Sequence, residues 1–337
     1  MAVPLAAVQQ EISVSQQQVA DELPGLDKRI SFEAELEQAR SVVYEANKAM
    51  RSFMRDARFG QHLESTAVAE VVDNISASVL RNKDALLTLA RIKTVDQYTY
   101  MHSIGVCVLM TVFARGMDYD DDTVRQISMG ALMHDLGKMR VSPGVLAKPG
   151  PLTTEEFAEM KQHVEFGAEQ LSEFGWLSDV SMTVVMQHHE RIDGSGYPFG
   201  LKGDGLGEVG RMSAVADVYD ALLSNRCYKP AWEPTHTLGK LLEWSPDHFG
   251  EEVAHQFVRC VGIYPVGTLV RLSSGMIAVV VEQDEAHLLR PRVRMVFNER
   301  NGRYPLLEDV DLAALDSVAI VESVSPQKVG IDPLAFI

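Results

Sequence analysis

Apolar positions recur along the chain with two different periods, and the change falls near residue 262. From about 31 to 92 the period is helical. Val68, Val71, Val72, Ile75 and Val79 recur at i, i+3 and i+4 spacing, which puts them on one helix face. This segment predicts a helical hairpin that packs on itself, on the next domain or on a second copy. Residues 93 to about 262 continue as helices separated by loops. VDQYTYMHSIGVCVLMTVFARGM is mostly apolar and predicts a buried helix ending near Gly116. DDTVRQISMGALMHDLGKMR predicts another, followed by a long loop broken by Pro143, Pro149 and Pro151. TTEEFAEMKQHVEFGAEQL opens on a capping-box pattern, Thr153 with Glu156. LSDVSMTVVMQHHE and GRMSAVADVYDALLS predict two more helices, and seven glycines from Arg191 to Gly210 make the segment between them a loop. Beyond Gly262, GTLVRL, MIAVVVE and RPRVRMVF read as strands, with SSG at 273–275 and NG at 301–302 as turns. The expected fold is mainly α: a helical hairpin (31–92), a helical bundle (93–262) and a small antiparallel β appendage (263–337). Residues 1–30 are Gln-rich and weakly patterned and read as a flexible tail.

Composition narrows the function classes. The chain has 337 residues, 46% hydrophobic and 23% charged, enough for a sizeable core. No apolar run reaches the ~18 residues of a membrane span. No basic residue precedes Lys28, so no signal peptide is expected. Cys107, Cys227 and Cys260 are far apart and match no metal-binding spacing. They read as free thiols in a reducing cytoplasm. A net charge of −16 argues against nucleic-acid polymers as partners. It leaves room for a small anion, because local cations or a bound metal reverse the field within one cleft.

The candidate chemistry lies in histidines and aspartates set among apolar residues. His134 and Asp135 stand inside ALMHDLGK, and Asp217 inside MSAVADVYDALL. Buried charges are costly unless they are paired or hold a metal. Each residue has an ordinary reading when taken singly. His102 suits a hydrogen-bonded core residue, His163 an exposed helix face, Asp217 a cap or ion pair, and His188–His189 two residues at a helix end. Taken together and in this order, they suggest a metal site. Imidazole and carboxylate without thiolate suit iron, manganese, nickel, cobalt or zinc rather than a structural cysteine site.

HDLGK at 134–138, HHERIDGSGYP at 188–198 and ADVYDAL at 216–222 resemble the HD-GYP branch of the HD-domain metal phosphohydrolases. The resemblance covers roughly 95–262 and includes His102 and His163. It implies an all-helical HD-domain bundle with two or three metals. On that pattern His102, His134, Asp135 and Asp217 would hold one metal. Asp135 would bridge to a second, held by His163, His188 and His189. Adjacent residues on a helix diverge by about 100°, so His188 and His189 can share a metal only where the helix end is distorted or their side chains bend inward. Some family members carry a Glu one turn before the first His. Tyr98 stands there in this chain, which favours a binuclear site, with iron or manganese preferred by resemblance.

The resemblance also implies a substrate, cyclic di-GMP, hydrolysed through linear pGpG and in some members to GMP by a metal-bridging hydroxide. Lys138, four residues after His134, would lie one helical turn on and stabilise developing charge. Asp220 would bind the attacking water, accept a proton or orient a ligand. Tyr197 would stack on or hydrogen-bond a guanine. Arg226 and Lys229, at the family's spacing from Asp217, would contact phosphate, with Arg191 in the same substrate-binding set. The glycine loop would dock GGDEF-domain cyclases, and the chain would act as a cytoplasmic enzyme, as a monomer or a homodimer. Two other readings stay open: a hydrolase for another cyclic nucleotide, and a non-catalytic receptor or scaffold.

Overall fold

Ser31 starts the first helix by accepting a hydrogen bond from the Ala34 amide, and α1 runs over Phe32–Arg58. The computed structural model describes residues 30–91, 98–224, 231–284, 286–304, 306–315 and 317–337. The expected tail therefore lies outside the described residues apart from Ile30. α1 pairs with α2 (Ser65–Arg91) as the expected hairpin. Their seam is apolar, with Met50, Phe53, Val68, Val72 and Ile75 all buried. It also holds a buried carboxylate, Glu35, paired with Arg81 at 2.6 Å and bonded by Ser78 at 2.6 Å. A charge at that depth needs such partners. α2 is interrupted at Asn82, whose side chain accepts from the Asp84 amide and restarts the helix.

The bundle follows: α3 (Tyr98–Gly116), α4 (Asp121–Met133), α5 (Pro143–Leu146), α6 (Thr154–Lys161), α7 (His163–Phe174), α8 (Asp179–Gln187), α9 (Glu208–Leu222), α10 (Pro234–His248) and α11 (Glu251–Val261). α3 is buried along most of its length, between α2, α4, α9 and α11. The hairpin, the bundle and one face of the sheet share a continuous apolar core. The hairpin thus packs both on itself and on the helices that follow.

Several local expectations need correction. The helix expected through HDLGKMR ends at Met133, and Leu136–Arg140 form a tighter 3₁₀ turn. The cause is packing: a Cβ on Gly137 would lie 1.9 Å from the His163 carbonyl, so the turn presses directly on α7. The long loop after it contains α5. The helix expected from Thr153 onward divides at Gln162 into α6 and α7, although its capping box with Glu156 is present. The glycine segment ends early, since α9 begins at Glu208 and a 3₁₀ turn occupies Gly203–Gly205.

The C-terminal segment is an antiparallel sheet of five strands: β1 (Leu269–Leu272), β2 (Met276–Glu282), β3 (Arg292–Asn298), β4 (Asp309–Asp311) and β5 (Ile320–Ser323), in order β4-β3-β2-β1-β5. The expected turn at 273–275 joins β1 to β2. The two edge strands are additions to the expected three. The sheet is tied to the hairpin and α11: Gln283 Nε2 donates to Asp84 Oδ1 at 2.9 Å and to the Val261 carbonyl at 3.0 Å. Among the described residues no helix is long and apolar enough to cross a membrane.

Candidate metal centre

Five elements converge on one buried cluster. α3 supplies His102, and the end of α4 supplies His134 and Asp135. The first residue of α7 is His163, α8 ends just before His188 and His189, and α9 carries Asp217 and Asp220. His102, His134, Asp135, His163, His188 and Asp217 are all at most 5% exposed. α8 ends at Gln187, His188 still has right-handed helical dihedrals (φ −62°, ψ −14°), and the rings of His188 and His189 lie 4.1 Å apart between centroids.

The backbone sets the imidazole tautomers. Nδ1 of His134, His163 and His188 lies 2.7, 2.6 and 2.8 Å from the carbonyls of Ala131, Met160 and Val185. A carbonyl only accepts, so in each case Nδ1 carries the proton and the Nε2 lone pair faces the cluster. His102 does the same with a carboxylate: its Nδ1 lies 2.5 Å from Asp220 Oδ2.

The two oxygens of Asp135 divide between two groups. Oδ2 lies 3.6 Å from His102 Nε2 and 3.4 Å from His134 Nε2. Oδ1 lies 3.5 Å from His163 Nε2 and 3.9 Å from His188 Nε2. Asp217 completes the first group, with Oδ1 2.9 Å from His102 Nε2, and its Oδ2 lies 3.4 Å from His189 Nδ1. Potential ligand atoms of His102, His134 and Asp217 fall within 4.8 Å of one another, as do those of His163, His188 and His189.

This donor set fits metal ions. His134 Nε2 and Asp135 Oδ1 are buried without a hydrogen-bond partner, a costly arrangement unless a cation satisfies them. Nε2 of His163 and of His188 stand 3.3 Å apart, lone pair to lone pair, which is repulsive without a positive charge nearby. The electrostatics agree. Burial opposes ionisation of Asp135, but Lys138 and His134 outweigh it and hold the carboxyl well below its usual range. Burial likewise opposes ionisation of Asp217, but the adjoining His102 and His134 rings outweigh it and hold the carboxyl well below its usual range. Burial disfavours charge on His134, yet Asp135 and Asp217 push it up to about 10. Burial, helped by Lys138, lowers His163 to about 4, and burial lowers His189 to about 3. Burial, then His189, holds His188 well below its ordinary value. The carboxylates demand positive charge beside them, which is what raises His134, while His163, His188 and His189 are held as neutral donors.

The remaining expected residues occupy different positions. Lys138 Nζ bonds Asp135 Oδ2 at 2.6 Å, reached through the 3₁₀ turn rather than a helical turn. Asp220 sits behind His102, away from the cluster's centre, so of its three expected roles the geometry suits orientation. Tyr197 stands over the cluster, its ring 4.7 Å from that of His189, and burial raises its phenol so that the hydroxyl keeps its proton. Arg191 is exposed and lines a cavity of about 390 Å³ together with His188, His189, Tyr197, Phe157 and Lys161. Arg226, Lys229 and the side chain of Tyr98 lie outside the described residues.

One structural residue escaped the sequence reading although it stands inside HHERIDGSGYP. Glu190 is fully buried and accepts from the amides of Phe199, Gly200 and Leu201 at 2.6, 3.1 and 2.9 Å. Gly196 packs on its backbone so closely that a Cβ would lie 2.5 Å from Glu190 Cα. The glycine loop is thus wound around a single carboxylate adjoining the histidine pair. An acidic residue just before a glycine-rich loop was the available signal.

Comparison with known proteins agrees with this fold and site. A family model described as HD domain matches residues 74–253, and one described as KOW domain associated with HD domain matches residues 269–331. A cyclic di-GMP phosphodiesterase of Pseudomonas aeruginosa is 45% identical over 282 residues, 84% of this chain and 68% of that protein. The cyclic di-GMP phosphodiesterase response regulator RpfG of Xanthomonas campestris is 41% identical over 154 residues, 45% of this chain and 41% of that protein. The solved structure of Bd1817, an HD-GYP-type protein from Bdellovibrio bacteriovorus, superposes with a TM-score of 0.54 at 15% identity, covering 74% of this chain and 76% of that one. The chain belongs to the HD-domain family, in its HD-GYP branch. The HD match and the His/Asp cluster together point to divalent-metal binding.

Proposed function

We propose that this chain is a metal-dependent phosphodiesterase that opens cyclic di-GMP to linear pGpG, with GMP as a further product. The observation that carries the reading is the division of Asp135, one carboxylate oxygen toward His102 and His134 and the other toward His163 and His188. That arrangement would let Asp135 serve both of two cation sites. His102, His134, Asp135 and Asp217 would hold one. Asp135, His163, His188 and His189 would hold the other. Iron or manganese is favoured, and nickel, cobalt or zinc also match the donors. Such metals, when bound, supply hydroxide near neutral pH and neutralise charge on phosphoester oxygens.

The chain's own residues do the rest. Asp220 holds the His102 ring with its Nε2 lone pair inward. Lys138 keeps Asp135 ionised and adds positive charge where a phosphate would gather negative charge. Tyr197 offers an aromatic face and a neutral hydroxyl to a guanine. Arg191 stands at the cavity wall for phosphate, and Arg226 and Lys229 are assigned the same role from their spacing to Asp217. The relatives named as cyclic di-GMP phosphodiesterases support this substrate. Relatives in Vibrio cholerae named as 3'3'-cGAMP-specific phosphodiesterases, one of them 41% identical over 118 residues, define the competing one. The reading further takes the glycine loop as a docking face for GGDEF-domain cyclases, the hairpin as the seam of a homodimer, and the cytoplasm as the compartment. Co-purification, sedimentation and cell fractionation test these three in turn.

The deciding experiment is turnover of cyclic di-GMP and 3'3'-cGAMP by protein loaded with iron, manganese or nickel, with metals counted per chain. We expect two metals and faster cleavage of cyclic di-GMP. Binding without cleavage in every metal form would favour a receptor. Unchanged turnover in Asp135→Ala would remove the proposed site.

A further inference from the structure

The cavity over the metal centre has a wall that the family motifs do not supply. Its floor is His188 and His189, and one side is the loop carrying Arg191 and Tyr197. The adjoining side is α6, through Phe157 and Lys161. These residues are four apart, so they share one face of the helix. Phe157 is 46% exposed. Its ring meets that of Tyr197 edge to face, with centroids 6.1 Å apart and planes at 84°. The two rings make an aromatic corner above the cluster. Lys161 Nζ hangs over both rings, 5.3 Å from the Phe157 centroid and 5.9 Å from that of Tyr197. Among the described residues its ammonium makes these ring contacts and no ion pair. In a chain of net charge −16, a cation left without a carboxylate at a cavity mouth is placed for an anion from outside.

We propose that Phe157 and Lys161 form a nucleotide subsite, with the base in the Phe157–Tyr197 corner and a phosphate on Lys161. This rests on the reading that the substrate is a guanine nucleotide, and it adds two specificity-determining residues to that site. Every base has a π face, so an aromatic corner accepts one with little orientational demand. A phosphate can approach the ammonium while it stays over the rings, because the rings take up one side of the cation only. The cavity of about 390 Å³ lies within the ~300–1,000 Å³ range of ligand sites, room for one nucleotide unit of the substrate.

The test is equilibrium binding of GMP and of guanosine, by calorimetry, to manganese-loaded protein. Lys161→Met should weaken GMP about tenfold and leave guanosine unchanged, because only GMP carries the phosphate. Lys161→Arg should keep GMP affinity. Phe157→Leu should weaken both ligands about five- to tenfold. Metal content should match wild type throughout, since neither side chain reaches the cluster. GMP affinity in Lys161→Met equal to wild type, or an equal loss for guanosine, would overturn the subsite and leave the phosphodiesterase reading standing. Wild-type protein that binds neither ligand would also overturn the subsite, whereas absence of cyclic di-GMP turnover in every metal form would overturn the phosphodiesterase reading.

Discussion

Nδ1 of His102 lies 2.5 Å from Oδ2 of Asp220, both buried, on the packed helices α3 and α9. The carboxylate can only accept, so it fixes the proton on Nδ1 and turns the Nε2 lone pair toward Asp135 and Asp217. An asparagine at this position can present its amide NH₂ instead and leave the proton on Nε2. Asp220→Asn is therefore expected to lower metal affinity by about 10–100-fold, with helical content retained. Competition against a chelator of known affinity measures it. Affinity within twofold of wild type would assign Asp220 to some other role.

Glu190 makes a comparable prediction for the loop. Three amides nine to eleven residues further on converge on its carboxylate. Glu190→Gln keeps the size but replaces a charged acceptor by a neutral one that also carries two donors. Charge-assisted bonds contribute more than neutral ones, so a loss of about 2 kcal/mol or more is expected. Urea unfolding of metal-free protein gives the stability, and protease cleavage within 194–205 should quicken. A stability change below ~0.5 kcal/mol would mean that the loop holds itself.

What could be read ahead of the structure, and what could not, follows from the range of the interactions. His134, Asp135 and Asp217 stood out because imidazoles and carboxylates among apolar helix positions have no water to solvate them. Glu190 offered only its place before a glycine-rich loop as a signal, because its partners return to it only after the loop has turned through Gly194 and Gly196. The end of α4 was misjudged because ALMHDLGK keeps a helical rhythm, whereas close packing of Gly137 on α7 sets the tighter turn. β4 and β5, of three and four residues, are too short and polar for alternation to register. Each gains its identity by pairing at a sheet edge, with β3 and β1 respectively.

Lys138 touches Asp135 directly and is part-buried, so its charge acts at low solvent screening. Lys138→Met retains length and packing and removes the charge. Turnover of cyclic di-GMP is expected to fall about 10²-fold, the usual effect of deleting one preorganised electrostatic group. Metal count should stay at wild-type level, because Lys138 donates no lone pair to the cluster. Loss of metal in parallel with activity would make its role the maintenance of Asp135 rather than charge on the substrate.

Cys107 is fully buried on α3, and its Sγ–H points at the Ser128 carbonyl 3.4 Å away. Burial, opposed by a hydrogen bond from Thr111, pushes the thiol up from 9.0 to about 12. The folded chain therefore keeps a proton that the unfolded chain releases once pH passes about 9. The folded state binds more protons in that window, so stability is complete below it and falls as pH rises toward 12. The slope from this one group is at most about 1.4 kcal/mol per pH unit. Urea midpoints measured from pH 8 to 11 should fall more steeply for wild type than for Cys107→Ala. Site-resolved alkylation by iodoacetamide at pH 8 should leave Cys107 unmodified until the chain unfolds. Equal slopes in the two proteins, or ready alkylation in the native state, would show that α3 opens to solvent.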